Sequence, residues 1–268
     1  GDGMQTQIDK RNPNIVFTGF QFGNYYRIDR ATNKREYVSP KPKKDEKPFR
    51  FNWQTPILLS SHNQDILYMG SNFLHRSMNQ GQTWTAISPD LTQGAKEGNV
   101  AFGTITVVSE SAMQFGLLYT GSDDGLIHVS KDGGATWNKI SGNLPQNRWV
   151  SRVVASAHKK ERVYATLNGY RNDDFTSYVY VSDDFGQTWK NIANNLPASP
   201  VNVIVEDNVN ENVLFVGTDN GLYVSLNKGT SWDDFSSGIP NVAVHDVVIQ
   251  KKAKDLVVGT HGRSVYKV

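Results

Sequence analysis

An octapeptide that returns along the chain at near-constant spacing limits the fold more than any other feature. Ser130-Lys131-Asp132-Gly133-Gly134-Ala135-Thr136-Trp137 recurs as Ser182-Asp183-Asp184-Phe185-Gly186-Gln187-Thr188-Trp189. Looser copies are Ser77-Met78-Asn79-Gln80-Gly81-Gln82-Thr83-Trp84 and Ser225-Leu226-Asn227-Lys228-Gly229-Thr230-Ser231-Trp232. A second signature is an apolar run closing on a small residue. Six runs end at Gly19, Gly70, Gly121, Thr166, Gly217 and Gly259, spaced 51, 51, 45, 51 and 42 positions apart. Apolar runs without polar alternation suit strands covered on both faces.

Each run has a short strand before it, such as Ile105-Thr106-Val107-Val108. Another follows each Trp, such as Trp137-Asn138-Lys139-Ile140. The unit therefore has four strands, A to D, with Gly-rich turns. A repeat of this length and pattern is a propeller blade and not a helical hairpin. The expected fold is an all-β propeller of four-stranded antiparallel blades. The approximate blade spans are 5–38, 54–88, 104–141, 151–193, 201–236 and 244–268, with no helix. The first unit carries a degenerate octapeptide around Ile28-Asp29-Arg30, and the sixth reaches only strand C, Ser264 to Val268. Five blades plus three strands leave an open sheet edge, which proteins rarely tolerate. Either the chain closes as six blades with an incomplete last one, or further blades come from a parent chain or a partner subunit. The edge argument favours the second.

Composition removes several function classes. With 28 basic and 26 acidic residues the formal net charge is +2, so no global field points to nucleic acid. No apolar run approaches the ~20 residues of a membrane helix, so no direct insertion is expected. The absence of Cys excludes disulfides, thiolate metal sites and cysteine nucleophiles. No His-x-x-His spacing or calcium-loop pattern appears, so neither a metal nor a cofactor is expected.

The octapeptide reads as turn chemistry. Ser77, Ser130, Ser182 and Ser225, with Asn79, Asp132, Asp184 and Asn227, offer side-chain oxygens to turn amides. Gly81, Gly134, Gly186 and Gly229 take positive φ, and Trp84, Trp137, Trp189 and Trp232 plug the blade. In an A-B-C-D meander the A–B and C–D turns share one face. The B–C and D–A loops share the other, so function is expected opposite the octapeptides.

On that loop face, Ser39 to Arg50 is a long, basic, Pro-broken segment, either a solvated insertion or a binding arm. Arg148-Trp149-Val150-Ser151-Arg152 offers an Arg–Trp stack for a sugar or a peptide carboxylate, or a packed Trp between surface cations. In the loop Asn168 to Phe175, Tyr170 and Arg171 precede Asp173 and Asp174. These carboxylates suit acid/base work or an ion-paired loop. His245-Asp246 and His261-Gly262-Arg263 fall near the propeller axis, as structural or ligand-binding groups.

At the octapeptides and at Gly259-Thr260-His261-Gly262-Arg263-Ser264, the sequence resembles the BNR/Asp-box superfamily, which includes sialidases, xyloglucanases and sortilin-type receptors. It is more similar to the later part of long bacterial sortilin-like repeat proteins labelled "glycosyl hydrolase". Supporting stretches include Gly1-Asp2-Gly3, Asn12-Pro13-Asn14, Phe51 to Pro56 and Ile87 to Thr92. The resemblance implies an exported protein, secreted or in the cell envelope, with blades preceding Gly1. No Arg set matches a sialidase triad, and a hydrolase needs two carboxyls across a cleft, for which only Asp173, Asp174 and the distant Asp246 stand out. The expected role is a protein- or glycan-binding scaffold. The alternatives are a glycoside hydrolase or a subunit docked within a larger envelope assembly.

Overall fold

The structure, a computed structural model, describes residues 2–268; Gly1, part of one stretch quoted above, lies outside the described residues. The chain has the all-β propeller fold that the repeats predict, with five four-stranded antiparallel sheets and a last sheet of three strands. It divides into two compact units, Gly1–Ser141 and Gly142–Val268, each holding three blades.

In the first unit, strands A to D of blade 1 are Gln7–Ile8, Ile15–Phe20, Asn24–Asp29 and Lys34–Tyr37. Those of blade 2 are Ile57–Leu59, Leu67–Gly70, Leu74–Ser77 and Thr85–Ala86, and those of blade 3 are Ile105–Glu110, Leu118–Ser122, Ile127–Ser130 and Asn138–Lys139. In the second unit, blade 4 has Trp149–Ala155, Val163–Asn168, Tyr178–Ser182 and Lys190–Asn191. Blade 5 has Val201–Glu206, Leu214–Thr218, Gly221–Ser225 and Asp233–Asp234, and blade 6 has Val244–Gln250, Asp255–Thr260 and Val265–Lys267. One 3₁₀ turn, Tyr170–Asn172, interrupts the otherwise helix-free pattern among the described residues.

The apolar runs are the B strands, and they are buried because blades cover both of their faces. Leu67, Tyr68, Met69, Leu118, Val163 and Leu214 are at most 1% exposed. At two of the runs the closing Gly is explained by close approach. A Cβ on Gly70 would meet Ile105 Cγ2 at 2.8 Å, and one on Gly217 would meet Val244 Cγ1 at 2.6 Å, each on strand A of the next blade.

Each octapeptide folds as one hydrogen-bonded hairpin. The Gly81, Gly134, Gly186 and Gly229 amides donate to Ser77, Ser130, Ser182 and Ser225 Oγ, each at 2.8 Å. In the Asp copies, the Thr136 and Thr188 hydroxyls donate to Asp132 and Asp184 Oδ2 at 2.6 Å. In the Asn copies the polarity reverses. Asn79 and Asn227 Nδ2 donate to Thr83 and Ser231 Oγ at 2.9 Å. The hairpin therefore keeps the same number of bonds with either residue.

The Trp residues do more than fill their own blade. Trp84, Trp137 and Trp232 Nε1 donate to the carbonyls of Val38, Ile87 and Ile192 at 2.6, 2.8 and 2.7 Å. Each acceptor follows strand D of the preceding blade. The Gly of the same hairpin abuts the same residue: added Cβ atoms on Gly81 and Gly229 would lie 2.6 Å from Val38 Cβ and 2.8 Å from Ile192 Cδ1. The octapeptide is thus a clamp between successive blades. Trp189 is half-buried in the equivalent hairpin.

A second repeated network, absent from the sequence reading, joins the same neighbours at the A–B turns. Glu110 accepts from Ser60 Oγ at 2.6 Å and Tyr68 Oη at 3.0 Å. Glu206 accepts from Ser156 Oγ at 2.8 Å, the Ala157 amide at 2.8 Å and Tyr164 Oη at 2.9 Å. His62 and His158 Nε2 complete the pattern by bonding the Ser111 and Asp207 carbonyls. The signal was readable as Ser-x-His followed by Tyr eight residues after the Ser, at 60–68 and again at 156–164.

Candidate functional site

Loop chemistry concentrates in the second unit, and strand A bulges aim it. In blades 4, 5 and 6 the A–B register shifts around Ser151, Asn202 and His245. A bulge leaves one residue unpaired and redirects its side chain. Ser151 Oγ bonds Thr166 Oγ1 at 2.8 Å and donates to the Val201 carbonyl at 2.7 Å. Asn202 accepts from Asn168 Nδ2 at 2.9 Å and donates to Asp219 at 2.8 Å. His245 lies against His261, ring centroids 5.2 Å apart. The Asn168–Asn202–Asp219 chain was not singled out in the sequence, because each member sits in a different segment.

The longer B–C loop of blade 4 packs over the start of its own strand A. Arg148 Nε donates to Asp174 Oδ2 at 2.8 Å, and Tyr178 Oη donates to the same oxygen at 2.8 Å. The Thr176 amide reaches the other oxygen at 3.1 Å. Desolvation works against ionisation, but the Arg148 and Tyr178 bonds outweigh it and hold the Asp174 carboxyl well below the usual range. Asp173, in a left-handed conformation at φ 51°, is exposed, and its amide bonds the Tyr170 carbonyl.

The aromatic stack has a different partner from the one that adjacency suggested. Arg171 lies over the Trp149 ring at 4.0 Å, while Arg148 pairs with Asp174 and Arg152 with Asp246. Trp149 opens strand A and Arg148 precedes it, and the two engage different partners of the B–C loop, Arg171 and Asp174. Tyr170 and Phe175 flank this stack in sequence and are 59% and 51% exposed.

Asp246 Oδ1 accepts from Arg152 Nη2 at 2.8 Å. The pair borders an open cavity of about 280 Å³ between the A strands of blades 4 to 6, lined also by Val154, Val203, Val205, Val247 and Ile249. His245 still touches solvent, yet desolvation and then the His261 charge hold its imidazole below the ordinary range. Arg263 is exposed in the B–C turn of blade 6. No group of three or more His, Cys, Asp or Glu side chains suited to a metal occurs among the described residues.

In the first unit, the carboxyl pushed upward is Asp123, chiefly by desolvation. It is 6% exposed and accepts from Thr104 Oγ1 at 2.6 Å and the Thr104 amide at 2.9 Å. Asp123 is thus nearly enclosed, with both oxygens engaged by Thr104. The basic loop is fastened rather than loosely solvated at its end. Arg50 bonds Asp90, Thr92 and the Gly103 carbonyl, and Phe49 packs on the buried His75 at 4.6 Å.

Residues 72–196 match a family model described as "Sortilin, neurotensin receptor 3", less than half of the chain. No curated protein matches the sequence. Among solved structures, the GH74 xyloglucanase from Xanthomonas campestris aligns with a TM-score of 0.73 at 15% identity, over 98% of this chain and 44% of that one. The Niastella koreensis GH74 enzyme aligns at 0.69 and 20% identity, over 99% and 44%. YCF48 from Cyanidioschyzon merolae aligns at 0.63 and 12% identity, over 99% and 81%. The chain thus spans under half the length of the two GH74 proteins. These likenesses establish the fold, and the resemblance to sortilin-like and GH74-like repeat propellers that the octapeptides carried is borne out.

Proposed function

We propose that this chain is a non-catalytic binding module that presents its B–C and D–A loops to a protein or glycan ligand. The observation that carries the reading is the pairing of its candidate carboxylates. Asp174 is engaged by Arg148 and Tyr178, and Asp246 by Arg152. A glycosidase acid needs a carboxyl whose pKa is raised toward neutrality, and Asp174 is moved the other way. Beside it, the Trp149–Arg171 stack with exposed Tyr170 and Phe175 has the composition of a binding hot spot. Export to the cell surface or envelope, which the resemblance implies, gives such a face access to external ligands.

The test is a pair of assays on the full chain. Glycan and peptide arrays should yield ligands whose binding weakens by about tenfold in Trp149→Ala and Arg171→Ala, the usual scale for an aromatic or Arg anchor. A glycan turnover panel should show no hydrolysis. Hydrolysis that disappears in Asp173→Asn or Asp174→Asn would establish the hydrolase instead.

A further inference from the structure

The first unit carries an exposed aromatic surface that the reading above does not use. Phe20, Phe22, Tyr37 and Trp53 are 38%, 42%, 43% and 48% exposed. They come from the end of strand B, the B–C turn, strand D and the following loop of blade 1, so only the fold assembles them. Phe20 stacks on Tyr26 at 6.3 Å, and Tyr26 meets Tyr37 edge-on at 5.4 Å. Phe22 meets Trp53 edge-on at 5.2 Å, and its amide donates to the Trp53 carbonyl at 3.2 Å.

Two further features distinguish this surface. Phe22 has φ 57°, a left-handed conformation that Gly or Asn adopts at lower cost than a bulky ring. The hairpin turn sets that φ together with Gly23 at 75°, and the side chain it carries there is a large apolar one, 42% exposed and touching Trp53. The loop that follows carries Lys41, Lys43, Lys44, Lys47 and Arg50 against Asp45 and Glu46. Arg50 is taken up by Asp90, so four lysines face two carboxylates, a local excess equal to the +2 of the entire chain. Lys43 is paired with Glu46 and Lys41 lies 5.0 Å from the Tyr37 ring, while Lys44 and Lys47 have no ion-pair partner among the described residues. The same loop, through Glu46, Lys47, Pro48 and Phe49, walls an open cavity of about 380 Å³ completed by Asn72, Phe73, Ala86 and Ser88, within the size range of a side-chain or ligand pocket.

We propose that this surface docks an acidic protein segment carrying an aromatic or large aliphatic anchor. The rings supply the desolvated contact and the lysines the complementary charge. Clustered Trp, Tyr and Phe rimmed by charge is how protein partners are recognised. An anionic polysaccharide would also answer the lysines, but sugar faces stack on flat ring platforms, and the edge-on Phe22–Trp53 and Tyr26–Tyr37 pairs, each at 81°, form a broken surface suited to an inserted side chain. The surface shares no residue with the Trp149 stack, and the inference does not rest on it.

The experiment is selection of a displayed random dodecapeptide library on the full chain, followed by affinity measurement of synthetic hits. Enriched peptides should be net negative with at least one aromatic or Leu-type residue, and should weaken as salt rises. Trp53→Ala and Phe22→Gly should each weaken binding by about tenfold. The triple variant Lys41→Glu, Lys44→Glu and Lys47→Glu should abolish it. Phe22→Gly is the folding control, since Gly relieves the turn and should melt no lower than the parent. Trp149→Ala should bind the peptides unchanged. No enrichment, enrichment indifferent to charge, hits insensitive to Phe22→Gly and Trp53→Ala, or binding to polygalacturonate in preference to peptide would each overturn the inference. Loss of binding only in Trp149→Ala would do so while leaving the earlier reading intact.

Discussion

Replacing the hairpin glycine at position 134 by alanine separates the two demands that the inter-blade clamp places on it. Gly134 sits at φ +96°, which costs an L-residue about 1–2 kcal/mol. A Cβ there would also meet the Ile87 carbonyl oxygen at 2.7 Å and Ile87 Cβ at 2.9 Å. Forcing an extra carbon into such a contact costs about 1–3 kcal/mol more. Gly134→Ala should therefore lose roughly 2–5 kcal/mol. Two controls isolate the parts. Gly238 has φ +79° with nothing within 4 Å, so Gly238→Ala should lose only the conformational share, about 1–2 kcal/mol. Gly142 has neither constraint, and Gly142→Ala should be neutral or stabilising by up to about 1 kcal/mol. Denaturant unfolding of the three variants reads the ladder. Equal losses in Gly134→Ala and Gly238→Ala would refute the claim that the octapeptide presses on the preceding blade.

Asp132→Asn and Asp184→Asn should leave neutral-pH melting almost unchanged, because Asn79 and Asn227 already make the equivalent bonds. The Thr136 hydroxyl bond first, and for Asp184 the Thr188 bonds against desolvation, hold these carboxyls at about 2. Depressed folded pKa values contribute stability that is present above the unfolded value near 3.8 and lost as pH falls through about 2, so the double Asn variant should lack that loss in a melting-versus-pH series. A separate decline should appear at milder acidity. Desolvation pushes His75 and His128 down to about 4, so their neutral forms are favoured on folding and stability falls as pH drops from about 6.5 toward 4. Glu206→Ala leaves the Ser156, Ala157 and Tyr164 donors without their acceptor and should cost about 2–5 kcal/mol, whereas Tyr164→Phe, which removes one bond, should cost about 1–2 kcal/mol, both read by denaturant unfolding.

What the sequence disclosed follows from what repeats. The B-strand runs, the hairpin Ser, Gly and Trp, and the short D strands recur in register, so one blade explains the next. Loop contacts do not recur, and there adjacency misled. Arg148 and Trp149 are neighbours in sequence, yet Arg148 is drawn to Asp174, while Arg171, distant in sequence, folds back onto the ring. Asp173 and Asp174, which suited acid/base work or an ion-paired loop, differ in their surroundings: Asp173, itself left-handed, is exposed, while Asp174 is paired with Arg148. The Phe22–Trp53 contact has no sequence signal, because nothing in a turn written Phe20-Gln21-Phe22-Gly23 announces that a second loop will meet it. The bulges at Ser151, Asn202 and His245 were likewise hidden, since an extra residue in a strand leaves the apolar pattern nearly intact.

Site-resolved carboxyl titration of Asp174 by NMR bears most directly on whether the loop face binds or catalyses. A carboxylate held as the counter-ion of Arg148 should stay ionised far into acid and titrate well below an ordinary aspartate. A midpoint above about 5 would mark a proton kept for transfer and contradict the binding account.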